Sequence, residues 1–339
     1  MTHAARLAAL LAILLAALLG VVAVALFLGS AQLTSGAVLR VLAGAADTTS
    51  TESIVIWSLR VPRIVAAAVA GGALAVAGVG FQALTRNPLA EPSVLGVSSG
   101  AAFGVVIGQL LGRGTGLADA LRLTLFGFAG AFLAGLAVYL IASVGGGGLP
   151  VQTLLLAGVI VGIFFASAIT VLISLVDINR LGGIVHWLLG SIGPIPRASL
   201  AVFALLAGLG FWLVVGRARE LNVLALGEEA ALQLGIDPEG LKLRVFVGAA
   251  LLTACVVAFA GPIGFVGLIV PHMLRLVLGP DNRVLVPTAL LGGGTFLLVA
   301  DTLARNVLAP AELSVGVLTS FCGAPFFIYL LRSRSRSAA

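Results

Sequence analysis

Residues able to do chemistry are scarce. Of 339 residues, 9% are charged and 60% are hydrophobic, whereas a soluble chain carries about 25% charged residues. The one lysine, Lys242, stands in Glu239-Gly240-Leu241-Lys242-Leu243. That is no glycine-rich phosphate loop, so the chain has no Walker-type means of holding ATP. Gly96-Val97-Ser98-Ser99-Gly100 fits the nucleophile-elbow pattern G-x-S-x-G. It opens an apolar run with no strand before it and no His–acid pair assignable to Ser98, so an intramembrane enzyme is disfavoured and the match reads as coincidence. His3, His186 and His272 are scattered, and Cys255 and Cys322 lie in apolar runs without a second Cys or a His at ligand spacing. The cysteines therefore read as small buried hydrophobes, and neither a disulfide nor a metal site is expected. The 13 acidic residues avoid the centres of the apolar runs, with Asp177, Asp301 and Glu312 near one set of ends and Glu91 and Asp281 near the other. Ion-coupled carriers usually place such groups near the midplane, which disfavours a secondary carrier.

The elements that hold these residues are apolar runs, roughly 7–28, 62–84, 94–111, 121–143, 151–176, 199–215, 242–260, 264–278, 285–302 and 314–331. A membrane span takes about 20 such residues. The expected fold is an all-α polytopic membrane protein with ten transmembrane helices, residues 1–339 forming one transmembrane domain. Run 7–28 exceeds the apolar core of a signal peptide and reads as a retained first span. The eighth run is short and follows Gly261-Pro262-Ile263-Gly264, which suggests a steep tilt or partial cover by protein. Gly100, Gly104 and Gly108 share one helix face, as do Gly158 and Gly162. Such faces let backbones approach closely, here within one chain.

The net charge of +6 comes mostly from basic residues flanking the apolar runs, so it reads as membrane topology and not as a nucleic-acid footprint. An even number of spans puts both termini on one side. Taking that side as cytoplasmic places 11 basic residues inside and eight outside, the sense of the positive-inside rule. The longest polar connection, 216–241, is then cytoplasmic. Within it Leu221–Gly235 reads as a short amphipathic helix or helix pair. Leu224, Leu226 and Ala230 offer an apolar side, Glu228, Glu229 and Gln233 a polar one, and Gly235 with Asp237-Pro238 ends it. A many-span chain with no nucleotide loop and a cytosolic docking segment fits a permease driven by a separate ATPase.

Two blocks carry a resemblance. The first comprises Arg60-Val61-Pro62-Arg63, Gln82-Ala83, Asn87-Pro88-Leu89-Ala90-Glu91-Pro92 and Leu95-Gly96-Val97-Ser98-Ser99-Gly100-Ala101. The second comprises Gly261-Pro262-Ile263-Gly264-Phe265-Val266-Gly267-Leu268, Pro271-His272-Met273-Leu274-Arg275, Ala300–Arg305, Ala311–Thr319 and Gly323-Ala324-Pro325. Together they resemble the permease family of bacterial ABC importers for iron–siderophore complexes, haem and cobalamin, over nearly the whole chain. Ser314 departs from the proline usual there.

The resemblance implies ten helices per subunit and two copies around a central path. It also implies two ATPase subunits that hold the ATP and Mg, this chain binding no cofactor itself, and a periplasmic binding protein on the outer face. The location implied is the bacterial inner membrane, with both termini cytoplasmic. Spans 2–5 and 7–10 fit an inverted repeat, each half broken by a Pro/Gly stretch that must be covered by protein or line the path. By the resemblance, Arg60, Arg63 and Arg305 receive the binding protein. Leu224, Leu226, Gly227, Glu228 and Gly235 couple to the ATPase. Gly158, Gly162, Ser167, Thr170, Thr319 and Ser320 line the path. Asn87 and Leu89 form one half of an inner gate, and Pro150 and Val151 stand at the other half, where relatives carry small hydroxyl residues. An iron–siderophore is the expected cargo, with haem or cobalamin as alternatives.

Overall fold

Lipid offers no partner to a peptide N–H or C=O, so an apolar run in a bilayer closes as a helix. The computed structural model of the chain describes residues 3–29, 31, 33–112, 116–143, 150–193, 195–309 and 311–337, and each of the apolar runs falls on a helix. In order the helices are α1 (His3–Phe27), α2 (Ser35–Leu42), α3 (Thr51–Ile54), α4 (Val61–Leu84), α5 (Val97–Leu111), α6 (Gly116–Ala142), α7 (Val151–Ser174) and α8 (Ile178–Leu188). They continue with α9 (Arg197–Val215), α10 (Ala218–Leu224), α11 (Glu228–Gln233), α12 (Pro238–Ala260), α13 (Val266–Leu278), α14 (Asn282–Asn306) and α15 (Val315–Ser337). Among the described residues seven stretches are long and apolar enough to cross a membrane: α1, α3 through α4, α6, α7, α9, α12 and α14. The remaining apolar helices, α5, α13 and Val315–Ile328 of α15, are shorter.

Helix α4 is the axis of the bundle. From Ala70 to Thr85 every residue is buried, and α9, α12, α13 and α14 pack around it. Glycine makes this possible. A methyl built on Gly78 would collide with the carbonyl of Gly267, and one on Gly71 with the carbonyl of Gly293. The glycines of α5 serve the same end: Gly104 lies against the Phe126 carbonyl and Gly100 against Gly130, both on α6. The stripe is an intrachain packing face, as expected. Gly78→Ala should force α4 and α13 apart and lower stability by about 1–3 kcal/mol. A thermal melt of the detergent-solubilised protein checks this against Gly182→Ala, where the added methyl has open space.

Two breaks organise the rest. After α4 the chain passes a tight turn at Pro92–Leu95 and enters α5 through Gly96, in the left-handed region at φ 73°. After α12 it enters α13 through Phe265, also left-handed at φ 68°. The breaks are tied together, because the Phe265 N–H donates to Glu91 Oε1 at 2.6 Å. Helices α4 and α13 are tied as well: Arg275 Nη1 donates to Gln82 Oε1 at 2.7 Å, and Gln82 Nε2 donates to the Gly267 carbonyl at 3.3 Å.

The start of the second span differs from the sequence reading. Pro62 marked it, but the helix begins at Thr51 and runs through a widened turn at Val55–Arg60 into α4. A proline lacks the N–H for the i−4 carbonyl and clashes with it, and a π turn relieves both. Arg60 and Arg63 therefore sit well inside a helix and not at its start.

Candidate functional site

At one end of the bundle lies an arginine–carboxylate cluster. Asp301, on the last turns of α14, is fully buried, and two guanidiniums converge on it. Arg63 Nη2 lies 3.0 Å from Asp301 Oδ1, and Arg305 Nε lies 3.0 Å from Asp301 Oδ2. Arg63 also pairs through Nη1 with Glu312 at 2.8 Å, the two side chains being 14% and 35% exposed. Arg60 is buried and donates to the carbonyls of Leu26, at 2.6 Å, and of Ala31. The three arginines picked from sequence are thus neighbours. Arg60, Arg63, Arg305 and Glu312 line one cavity of about 250 Å³. Arg60 and Arg305 point inward, which leaves Arg63 and Glu312 as the charges facing out. The Asp301–Arg305 pair was legible from its i,i+4 spacing. The bond from Arg63 to a carboxylate on α14 was not.

At the other end lies the segment 216–241. It is a helix pair, α10 and α11, turning at Gly227 with φ 125° and ending at Gly235 with φ 76°. Leu224 and Leu226 do not share a side. Helix α10 stops at Leu224, which is 1% exposed in the core, whereas Leu226 is 74% exposed beyond it. Leu232 and Leu234 are exposed as well, giving an apolar tip on a charged segment. Glu228 Oε2 accepts from Lys242 Nζ at 2.9 Å, and Lys242 also reaches Glu239 Oε1 at 2.6 Å. The other Glu228 oxygen lies 3.8 Å from Arg86, the residue just before Asn87. Asn222 of α10 donates to Asp281 Oδ1 at 2.6 Å and accepts from the Asn282 N–H at 2.8 Å, which ties the pair to the start of α14. The Arg283 guanidinium, helped by Asn222, holds the Asp281 carboxyl well below the usual carboxylate range. These ties were not visible in the sequence, because their partners lie in different connections.

The expected gate and path residues divide. Asn87 is exposed and its Oδ1 accepts from the Leu89 N–H at 3.0 Å, a turn that fixes the linker. Pro150 caps α7 and Val151 begins it, while residues 144–149 before them lie outside the described residues. Gly158 and Gly162 pack against the turn at Gly96. Ser167 and Thr170 are exposed on α7, with the Thr170 hydroxyl donating to the Ala166 carbonyl at 3.0 Å. On α15, Thr319 is buried and donates to the Gly316 carbonyl at 3.1 Å. Ser320 lines a cavity of about 620 Å³ with Ser93, Ser98, Gly264, Val317 and Phe321. That cavity opens where the two breaks meet. Cys255 is buried as expected, but Cys322 is exposed, because it lies on the uncovered face of α15.

The arrangement binds charge at one end, offers an apolar knob at the other, and places broken helices and a hydroxyl-lined cavity between them. Comparison with known proteins agrees. Residues 13–333 match the FecCD transport family. The hemin transport system permease protein HmuU of Yersinia pestis is 42% identical over 287 residues, 83% of this chain and 84% of that one. The cobalamin import system permease protein BtuC of Halobacterium salinarum is 41% identical over 284 residues, 84% of this chain and 75% of that one. A solved metal-chelate type ABC transporter in an inward-facing conformation superposes with a TM-score of 0.82 at 30% identity, covering 96% of this chain and 99% of the other. The chain belongs to the FecCD transport family and is the permease of an ABC transporter, a transport component and not an enzyme.

Proposed function

We propose that this permease passes an iron–siderophore or related metal chelate across the bacterial inner membrane, from the periplasm to the cytoplasm. The similar proteins named for hemin, cobalamin and iron(3+)-hydroxamate import support a large chelate as cargo, and haem and cobalamin are the other members of that class. In this reading α5, α13 and α15 cross the membrane with the seven longer stretches, giving ten spans with both termini cytoplasmic. Spans 2–5 and 7–10 form an inverted repeat. The matched left-handed entries at Gly96 and Phe265, each opening a short helix after a buried one, support it. Two copies form the path between them, with α7 and α15 along it. Two ATPase subunits bind beneath and supply ATP hydrolysis with their own Mg, while this chain holds no cofactor.

The observation that carries the reading is the helix pair α10–α11. Its exposed Leu226, Leu232 and Leu234 offer a contact to the ATPase. The Lys242–Glu228–Arg86 chain links it to the linker bearing Asn87 and Leu89. A push on the pair is therefore felt at the inner gate. The test is uptake of labelled ferric hydroxamate, haem and cobalamin by proteoliposomes holding the permease, its ATPase and its binding protein. ATP-dependent accumulation of one chelate supports the reading, and accumulation without ATP overturns it.

On the outer face the binding protein docks at Arg63, with Arg60 and Arg305 supporting it from below. Arg63→Gln should weaken binding at least tenfold, about 1.4 kcal/mol. Glu312→Gln, which frees one Arg63 nitrogen, should strengthen it. Both effects should shrink in high salt, which screens exposed charges. Titrating the binding protein onto reconstituted complex at two ionic strengths checks this, and unchanged affinity in both variants would reduce the cluster to a structural anchor.

A further inference from the structure

Helices α6 and α12 run antiparallel, with Gly127 facing Ala258 and Gly135 facing Phe246. Between them lies a groove of about 320 Å³ whose walls are almost wholly apolar. Phe128, Phe132 and Leu136 form one wall, and Phe246, Val247 and Leu251 the other. Phe132 and Val247 are exposed, so the groove opens on the outside of the bundle, where lipid meets it. Its length runs from Leu243 to Ala254 on α12. At 1.5 Å per residue that is about 16 Å, one half of a hydrocarbon core about 30 Å thick. The groove thus fits the depth of a single leaflet.

Only one end carries polar groups. Tyr139 lines the groove opposite Leu243, and among the described residues its hydroxyl has no hydrogen-bond partner. Arg244 is exposed at the same end and, among the described residues, pairs with no carboxylate. Its guanidinium bends back along α12, its Nη2 standing 3.9 Å from where a Gly240 side chain would begin. Asp237 is also close by, but its carboxylate accepts the N–H groups of Glu239 and Gly240 as the cap of α12. An uncommitted cation and phenol at headgroup depth, above an apolar slot one leaflet long, complement a phosphate on an acyl chain.

We propose that this groove is a binding site for one glycerophospholipid. An acyl chain lies between α6 and α12, and the phosphate is held by Arg244 and the Tyr139 hydroxyl. Gly135 keeps the slot open: a side chain there would start 3.8 Å from the Phe246 ring, in ordinary contact, and a longer one would fill the space. A lipid seated there braces α12 immediately after Lys242, the residue that holds Glu228 of the helix pair.

The test is native mass spectrometry of the intact transporter complex extracted from membranes, with retained phospholipid counted per permease. Wild type should keep one lipid under activation that strips the annular lipids. Gly135→Leu should reduce its occupancy at least tenfold, by filling the slot. Arg244→Gln, an exposed substitution that leaves the fold intact, should reduce it several-fold without changing complex yield. Readdition of phosphatidylglycerol or phosphatidylethanolamine should restore it in wild type, whereas inorganic phosphate should not. Equal retention in wild type and both variants overturns the proposal and leaves only annular lipid. Equal retention together with a complex dissociated by Gly135→Leu overturns it in favour of a protein partner covering the groove.

Discussion

Asparagine in place of Asp301 is expected to cost about 3–5 kcal/mol of stability, the scale for breaking a buried ion pair from one side. The carboxylate is fully buried and lies 3.0 Å from both Arg63 and Arg305. Removing its charge leaves two guanidiniums in a region that water barely reaches, with Arg60 beside them in the same cavity. Glu312 pairs with Arg63 from a 35% exposed position and cannot take over the buried place between the two guanidiniums. Glu312→Gln should therefore change stability by less than about 1 kcal/mol, as exposed pairs do. Replacing both partners, Asp301→Asn with Arg305→Met, should recover part of the loss, since the desolvated cation goes as well. Thermal inactivation midpoints of the three variants in one detergent decide it. If Asp301→Asn melted with Glu312→Gln, the cluster would be open to water and its arginines more available to a partner than their burial implies.

That cluster also marks what one dimension can show. The Asp301–Arg305 pair is four residues apart on a helix and follows from spacing alone. The bond from Arg63 to Asp301 spans 238 positions and follows only from α4 and α14 packing glycine to glycine. The charge pattern assigned eight of the basic residues to the expected outer side, and said nothing about which of them point inward. The apolar runs were legible because a bilayer forces a helix on each. The extension from Thr51 to Arg60 was not, because its residues are mixed and Pro62 reads as a start. The breaks at Asn87–Pro92 and Gly261–Gly264 were legible from their prolines and glycines, whereas the left-handed entry at Phe265 was not, since a phenylalanine in that region has no sequence signature. Its ring instead fills the space left by Gly323, which would admit no side chain.

The helix pair α10–α11 gives the sharpest separation between folding and coupling. Leu224 and Leu226 are two residues apart, one 1% exposed and the other 74%. Aspartate at position 224 deletes a packed side chain, worth about 2–5 kcal/mol, and adds the several kcal/mol needed to desolvate a charge. That variant should fail to assemble. Aspartate at 226 stands in water in the isolated permease and should leave its yield and melting temperature unchanged. In the complex it would put a charge where an apolar contact to the ATPase is proposed. Substrate-stimulated ATP hydrolysis and uptake should then fall at least tenfold together, or hydrolysis should persist while uptake is lost. The two results distinguish lost assembly from lost transmission. Lys242→Met separates transmission further, because it keeps the stem but unties Glu228 of α11 from α12. It should leave the exposed leucines in place, keep the ATPase bound, and reduce transport per ATP hydrolysed. Full uptake by Leu226→Asp, in complexes of normal yield, would place the proposed ATPase contact elsewhere than on this helix pair.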